Sequence, residues 1–174
     1  MVETSAIDQL LRHAAATAAV ERGIADKDFA TDIVAQLDAD YVMYAAAKQD
    51  WATAMTLSYE RARKAVTMLL LAHGWRIPDQ SGKHARIAEA VDAWIGSGDG
   101  NGPRLADSYS RSRKARNNHE YPDSRAPLPD DAALRQLTLD NMRLVRRTRT
   151  ELGLVDDETL IPTQDNIDLW RARQ

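Results

Sequence analysis

The sequence predicts an all-α protein. Windows in which β-branched and polar residues alternate are nearly absent, alanine is abundant, and apolar residues recur at three- and four-residue spacing along most of the chain. At 174 residues, with 44% hydrophobic and 28% charged side chains, the chain can bury a core of its own. We therefore expect a single helical domain over residues 1–152, followed by an acidic tail over residues 153–174.

The first two predicted helices cover residues 5–23 and 28–48. Ser5 is a favoured N-cap residue, and leucines follow it at helical spacing. In the second helix the large apolar side chains fall on one side: Phe29, Ile33, Leu37, Tyr41 and Tyr44. This pattern indicates one continuous amphipathic helix.

The third predicted helix, residues 50–73, carries apolar residues on two sides. The first side consists of Trp51, Met55, Tyr59, Ala62, Val66 and Leu70, and the second of Leu57, Met68 and Leu71. Two apolar sides indicate a central helix that contacts neighbours on both. Gly74 supplies a C-terminal cap, and Pro78 prevents the helix from continuing.

Three further helices are predicted over residues 83–95, 103–121 and 130–152. Pro103 occupies a favoured first position, and Pro122 pushes the residue before it out of helical geometry. The glycine-rich residues 96–102 are either a plain linker or a loop that cradles phosphate on its amides. The lysine and the spacing of a P-loop are missing, so a linker is favoured.

Composition excludes several classes of protein. The chain contains no cysteine, which rules out disulfides, cysteine-ligated zinc and thiol catalysis. No histidine has a partner at metal-ligand spacing, so we expect neither a metal nor another cofactor. The longest apolar run is too short to cross a bilayer, and the N-terminus lacks the pattern of a secretory signal. We expect a cytoplasmic protein that does not interact with membranes.

The net charge of −3 conceals a strong asymmetry. Residues 103–149 hold 11 Lys/Arg against 6 Asp/Glu, a local charge of +5, whereas residues 150–174 hold 2 against 6. A basic region of this kind either binds an anionic partner such as RNA or a nucleotide, or is a solvated helix face. Charge alone does not distinguish these two interpretations.

The densest chemistry lies in residues 113–122, RKARNNHEYP. In a helix, Leu105, Tyr109, Arg113, Asn117 and Tyr121 form one stripe that is apolar at its start and polar at its end. Arginines can hold phosphate and stabilise charge on phosphorus, and a histidine can move a proton near neutral pH. This combination is typical of a site that cleaves an RNA phosphodiester without a metal.

Simpler interpretations remain open for the same residues. Arg116 and Glu120 have the spacing of an ordinary ion pair, and His119 can cap carbonyls at a helix end. His84, at the start of the fourth helix, is expected to cap or pack. The arginines of the sixth helix cannot all point one way, and a solvated face is favoured over an RNA-backbone track: Arg143, Arg146, Arg147 and Arg149.

Two segments resemble the HEPN domains (higher eukaryotes and prokaryotes nucleotide-binding). Residues 59–74, YERARKAVTMLLLAHG, with residues 82–87, GKHARI, are similar to the long core helix of that family, its glycine stop and the start of the next helix. Residues 113–122 resemble the family's Arg-x(4–6)-His motif, joined to the RN..EYP ending of one bacterial branch. The resemblance covers roughly residues 30–152.

The resemblance implies an antiparallel bundle of four to five helices, here with an extra N-terminal helix, that forms a homodimer with a shared cleft. Many HEPN proteins resemble metal-independent RNases that act as toxins or defence components, often with a nucleotidyltransferase-like antitoxin. Others are non-catalytic binding modules. The motif allows two registers in this chain: Arg113 pairs with His119, or Arg116 pairs with Tyr121, which leaves His119 incidental.

Our leading hypothesis is an RNA-binding homodimer that cleaves RNA as a metal-independent endoribonuclease. His119 is the expected acid or base, and Arg113 and Arg116 are expected to hold phosphate. Four further residues are expected to bind and orient the substrate: Lys114, Asn117, Asn118 and Tyr121. The alternative is a non-catalytic interaction or nucleotide-binding module that uses the same residues only to dock. An adenylylated Tyr121 is a third possibility, which rests on the resemblance alone.

Overall fold

The computed structural model describes residues 20–78, 82–95, 102–120, 127 and 129–174, without the side chains of residues 102, 103 and 120. Within these ranges the chain is predominantly helical, which confirms the all-α prediction. The elements in chain order are β1 (Glu21–Arg22), α1 (Lys27–Ala35), α2 (Asp40–Ala47), α3 (Trp51–Ala72), β2 (Trp75–Arg76), α4 (Lys83–Ile95), α5 (Gly102–Glu120), α6 (Asp131–Glu151), a 3₁₀ turn (Glu158–Leu160) and α7 (Gln164–Arg171). None of these described helices is both long enough and apolar enough to cross a bilayer.

The longest helices, α3 and α6, pack against each other at the centre of the molecule. Helices α1, α2 and α5 also contact α3, and α4 packs mainly on α5. The large buried side chains of the central pair are Met55, Tyr59, Leu69, Leu70, Leu137, Met142 and Leu144. The prediction that the third helix is central and contacts neighbours on more than one side is therefore confirmed.

Helix α3 begins and ends where its sequence predicts. The Asp50 side chain accepts a hydrogen bond from the Thr53 amide at 3.1 Å, so it caps the first turn. Gly74 follows the helix with a φ of +70°, a conformation that glycine adopts without the steric cost of a Cβ atom. These two residues fix the bounds of the helix that carries much of the candidate site.

A two-stranded sheet replaces the end of the first predicted helix. Glu21 pairs with Arg76 and Arg22 with Trp75, in antiparallel register, and the Arg22 guanidinium lies 3.9 Å from the centroid of the Trp75 ring. The helix predicted over residues 5–23 is therefore wrong at its end, because backbone pairing with β2 outweighs the local preference. Residues 5–19 of that prediction lie outside the described residues.

The second predicted helix, residues 28–48, is in fact two helices, α1 and α2. Between them Leu37 is buried, and the carbonyl of Asp38 accepts a hydrogen bond from the Arg61 side chain at 2.6 Å. This tertiary contact holds the connection against α3 and breaks the helix, a change that local periodicity cannot reveal. As a result Tyr41 is 69% exposed instead of sharing one apolar side with Leu37.

The residues after α6 pack on the helices. Leu160, Ile161 and Ile167 are buried in the same hydrophobic core as α3 and α6. Trp170 donates its ring N–H to Asp40 at 3.1 Å and meets the Tyr44 ring edge-on at 6.4 Å. Residues 153–174 thus form an acidic segment docked on the bundle.

Candidate functional site

Helix α5 carries the stripe that the sequence predicts. Leu105 and Tyr109 are buried, Arg113 is half-buried and Asn117 is exposed, so the stripe becomes more accessible toward the end of the helix. Tyr121, the last member of the predicted stripe, lies outside the described residues. The apolar start anchors the helix and leaves the polar end at the surface.

Two buried tyrosines form the floor beneath the polar part of α5. The rings of Tyr59 and Tyr109 are tilted, with 5.2 Å between their centroids. The Tyr59 hydroxyl lies 2.9 Å from Nδ1 of His84, which belongs to the first turn of α4. Aromatic packing and this hydrogen bond together join α3, α4 and α5 at one point.

Burial shifts the pKa values of these three side chains. It raises the pKa of the Tyr59 phenol and that of the Tyr109 phenol, and the Tyr59 phenol adds to the rise at Tyr109. Burial, and then the charge of Arg63, lowers the pKa of the His84 imidazole. His84 is therefore neutral near neutral pH, with Nδ1 engaged by Tyr59 and Nε2 left for another partner.

Three arginines and one carboxylate surround His84. Glu60 and Arg63 of α3 form an ion pair at 2.7 Å, and the other Glu60 oxygen lies 3.5 Å from Nε of Arg116. The charges of Glu60, Arg63, Arg113 and Arg116 all contribute to the pKa of His84. We call these five residues, His84 included, the α3–α5 cluster.

Arg113 has an unusual position in the α3–α5 cluster. Its Nε atom is buried, and no hydrogen-bond partner for it exists in the described part of the chain. A buried donor without a partner costs roughly 1–3 kcal/mol. The α3–α5 cluster thus gathers three guanidinium groups around Glu60, and such a concentration of guanidinium donors suits the binding of an anion.

The structure brings together only part of the predicted site. Arg113 and Arg116 both belong to the α3–α5 cluster. Lys114, Asn117 and His119 are exposed, and within the described ranges His119 makes no hydrogen bond or ion pair. Asn118 is half-buried. The predicted pair of Arg116 with Glu120 involves a side chain outside the description, whereas the pair with Glu60 is observed.

Sequence reasoning missed three members of the α3–α5 cluster: Glu60, Arg63 and His84. Tyr59 and Arg63 are four residues apart, so they lie on the same side of α3, and this spacing is the signal that was available. His84 does pack, as expected, but its partner Tyr59 comes from another helix. Only the tertiary contact distinguishes this histidine from an ordinary capping residue.

The four arginines between residues 143 and 149 of α6 do not all point one way, as their spacing predicts. Arg149 donates to the carbonyls of Val34 and Ala35 at 3.1 and 3.3 Å and so caps the end of α1. The other three line a single cleft next to α5: Arg143, Arg146 and Arg147. These three residues therefore share one solvent-accessible cleft, which agrees with a solvated face and leaves the RNA-backbone track a prediction.

No set of three acidic or histidine side chains in the described ranges is arranged to hold a metal ion. What the α3–α5 cluster offers is positive charge, hydrogen-bond donors and a neutral imidazole, a set suited to a phosphate group. The chain matches no protein-family model, no curated protein and no solved structure.

Proposed function

We propose that the protein is an HEPN-like RNA-binding protein that holds an RNA phosphate on the α3–α5 cluster and cleaves the chain without a metal. The observation that carries this proposal is the buried Nε of Arg113, which has no hydrogen-bond partner among the described residues and lies in a cluster with the guanidinium groups of Arg63 and Arg116. A phosphate oxygen satisfies that donor and is attracted by the neighbouring guanidinium groups.

The proposed reaction uses the exposed end of α5. His119 follows Arg116 by three residues, so both lie on neighbouring parts of the helix surface. A histidine there abstracts the proton of the ribose 2′-hydroxyl, whose oxygen attacks phosphorus and expels the 5′-oxygen of the next nucleotide. That oxygen takes a proton from water and leaves as a hydroxyl, and the imidazolium returns its proton to solvent. Arg113 and Arg116 stabilise the charge that develops on the phosphate oxygens. The products are a 2′,3′-cyclic phosphate and a 5′-hydroxyl end.

Substrate binding is proposed for the neighbouring polar residues. Lys114 and Asn117 are exposed beside the α3–α5 cluster and supply donors to adjacent phosphates and bases, together with Asn118 and Tyr121. The proposal includes a homodimer that joins two such surfaces into one cleft. It also includes a role as a toxin or defence component with a nucleotidyltransferase-like antitoxin. These last elements rest on the resemblance to HEPN domains.

A second candidate is a non-catalytic module that binds RNA or a nucleotide on the same cluster. The exposure of His119 favours it, because a general base needs a neighbour that orients it, and the described residues provide none. In this case the α3–α5 cluster docks phosphate and no bond is cleaved.

The experiment measures cleavage and binding of a labelled single-stranded RNA in the presence of EDTA. We expect Arg113→Ala and His119→Ala each to reduce the cleavage rate about 100-fold or more. Arg111→Ala is the matched control on the same helix, because Arg111 is exposed and its ion pair with Asp107 is long, 3.9 Å. It should cleave like the wild type.

The results separate the two candidates. If the wild type produces RNA with cyclic phosphate ends and both Arg113→Ala and His119→Ala lose that activity, the nuclease is supported. RNA that binds in an Arg113-dependent way but stays intact supports the module. Unchanged cleavage in both variants contradicts the proposed roles of Arg113 and His119. A strict monomer by light scattering contradicts the shared cleft.

A further inference from the structure

A second basic site lies on the other side of α5. A cleft of about 620 Å³ opens between the start of α5, α6 and the residues that follow α6. Four arginines line it: Arg104, Arg143, Arg146 and Arg147. Its volume falls within the usual range for small-molecule sites, and its lining is largely charged, so an apolar ligand does not suit it. We call it the α5–α6 cleft.

A buried carboxylate positions two of these arginines. Asp140, whose side chain is 1% exposed, accepts hydrogen bonds from Ser108 at 2.8 Å, Gln136 at 3.0 Å and Arg143 at 2.7 Å. Arg104 of α5 lies 3.5 Å from the same carboxylate. Because Asp140 occupies one edge of each guanidinium, the remaining N–H groups are held in fixed directions. Arg104 and Arg143 are 56% and 40% exposed, so those groups are accessible to a ligand.

The third arginine is held by the acidic segment. Arg146 makes two hydrogen bonds to the Asp156 carboxylate and a third, at 2.8 Å, to Glu158. Both carboxylates are well exposed, unlike Asp140. They occupy positions on Arg146 that the oxygens of a phosphate would otherwise take. Arg147 lies with its guanidinium 5.5 Å from the centroid of the Trp94 ring, which holds it at the cleft wall.

Among the arginines that line the cleft, the described ion pairs to the acidic segment are made by Arg146. The described ion pairs of Arg104 and Arg143 are both made to Asp140, which lies beneath them. Arg104 and Arg143 thus present accessible guanidinium groups, together with Arg147, to a cleft whose exposed carboxylates are Glu151 at the end of α6 and Asp156 of the acidic segment. Such an arrangement binds an anion with several charges once that segment withdraws.

We propose that the α5–α6 cleft binds a short polyphosphate chain, and that Asp156 and Glu158 release Arg146 when the ligand enters. This inference goes beyond the proposed function and does not depend on it. Arg104 and Arg113 are nine residues apart, which places them about half a turn apart around α5. The two sites therefore face different directions and can be disabled separately.

The test is calorimetric titration of the whole chain with tripolyphosphate, and separately with ATP, in about 50 mM salt. Arg104→Ala should weaken binding about tenfold, and Arg104→Ala with Arg143→Lys should weaken it further. The lysine keeps a positive partner for the buried Asp140, so the fold is retained, which circular dichroism checks.

The acidic segment provides the more specific test, because removing its carboxylates should increase the affinity for tripolyphosphate. Asp156→Asn with Glu158→Gln removes the competing carboxylates, so it should tighten tripolyphosphate binding several-fold. Glu158→Gln alone should tighten it less and leaves the bond of Arg146 to Asp156 in place, so it answers the question even if the double variant unfolds. Arg111→Ala is the control and should leave binding unchanged. All variants are compared in an Arg113→Ala background, which disables the α3–α5 cluster, so that the titration measures the α5–α6 cleft.

Each outcome has a defined meaning. Equal affinity for tripolyphosphate and ATP shows that the phosphates alone are recognised, and tighter ATP binding shows that the nucleoside adds contacts; both support the proposal. The proposal is overturned if neither probe binds, if Arg104→Ala with Arg143→Lys binds as tightly as the Arg113→Ala parent, or if removing the carboxylates weakens binding. RNA cleavage should be unchanged by Arg104→Ala, so the failure of one site does not imply the failure of the other.

Discussion

The two arginine-rich regions beside α5 differ in what neutralises their positive charge. In the α3–α5 cluster Glu60 pairs with Arg63 and Arg116 above a floor of tyrosines, and a donor of Arg113 has no described partner. In the α5–α6 cleft the buried Asp140 and two carboxylates of the docked acidic segment serve the arginines. On our proposals the first region binds an anion directly, whereas the second must first release Arg146 from Asp156 and Glu158.

This contrast shows that the number of arginines does not define a binding site. What decides their role is the supply of nearby carboxylates and whether each one is buried or exposed. A buried carboxylate orients its arginines permanently, and an exposed one can be displaced at a small energetic cost because water screens the pair.

The largest effect is expected from removing the buried carboxylate at the base of the α5–α6 cleft. Asp140→Ala leaves the buried Ser108 hydroxyl without its acceptor and removes the carboxylate shared by Arg104 and Arg143. We expect a loss of about 3 kcal/mol in the free energy of unfolding, measured by urea denaturation. Asp107→Ala, which removes an exposed carboxylate 3.9 Å from Arg111, should cost less than about 0.5 kcal/mol. Equal losses would contradict the structural role of Asp140.

A second prediction compares the two tyrosines beneath the α3–α5 cluster. Tyr59→Phe removes the hydrogen bond to His84 and should cost about 1 kcal/mol of stability. The Tyr109 hydroxyl is buried without a hydrogen bond of normal geometry to any described residue, so Tyr109→Phe should be neutral or slightly stabilising. Thermal or urea unfolding of both variants measures the difference, and the reverse order would show that Tyr109 holds the floor together.

A third prediction separates a capping arginine from the arginines that line a site. Arg149→Ala removes the donor to two carbonyls at the end of α1 and should cost about 1 kcal/mol. It should leave both RNA binding and tripolyphosphate binding unchanged once the fraction of folded protein is taken into account. A specific loss of either ligand would mean that Arg149 belongs to a binding surface.

The smallest expected effect concerns pH and the α3–α5 cluster. The pKa of His84 is lower in the folded chain than its usual value of about 6.5, so the folded state binds fewer protons than the unfolded state. The stability that this histidine contributes is complete above pH 6.5 and is lost as the pH falls through its folded pKa. The urea midpoint should therefore drop between pH 7.5 and pH 5.

A matched pair of variants isolates that contribution. His84→Gln should reduce the change in the urea midpoint between the two pH values, whereas His119→Gln, at an exposed position, should keep it. If His84→Gln retains the full pH dependence, another group is responsible and the burial of His84 is not the cause.

How far the sequence predicted the molecule depended on whether the deciding contacts were local. The bounds of α3, α4 and α6 followed from periodicity, caps and glycine, all of which act within a few residues. The break between α1 and α2 did not, because it depends on Arg61, which lies 23 residues from the carbonyl that it binds. The strand at residues 21–22 was missed for the same reason, since its partner β2 lies more than 50 residues away.

In the candidate site, too, local features were predicted from the sequence and contacts between helices were not. Arg113 and Arg116 were predicted as site residues from the density of polar residues in one segment, and the structure places both beside the tyrosine floor. Glu60, Arg63 and His84 were not identified, because their contribution depends on how α3 and α4 pack on α5. The α5–α6 cleft was also missed, since Arg104 and Asp156 are distant in sequence from the arginines beside them.

By itself the sequence determined the all-α class, the central helix α3 and the polar end of α5, because side-chain spacing and backbone capping are properties of short segments. Only the tertiary structure decided which charges meet, since guanidinium and carboxylate groups from different helices are brought within a few ångströms by packing of the core. Electrostatic interactions depend on those distances and on burial, and neither can be obtained from the order of residues along a single helix.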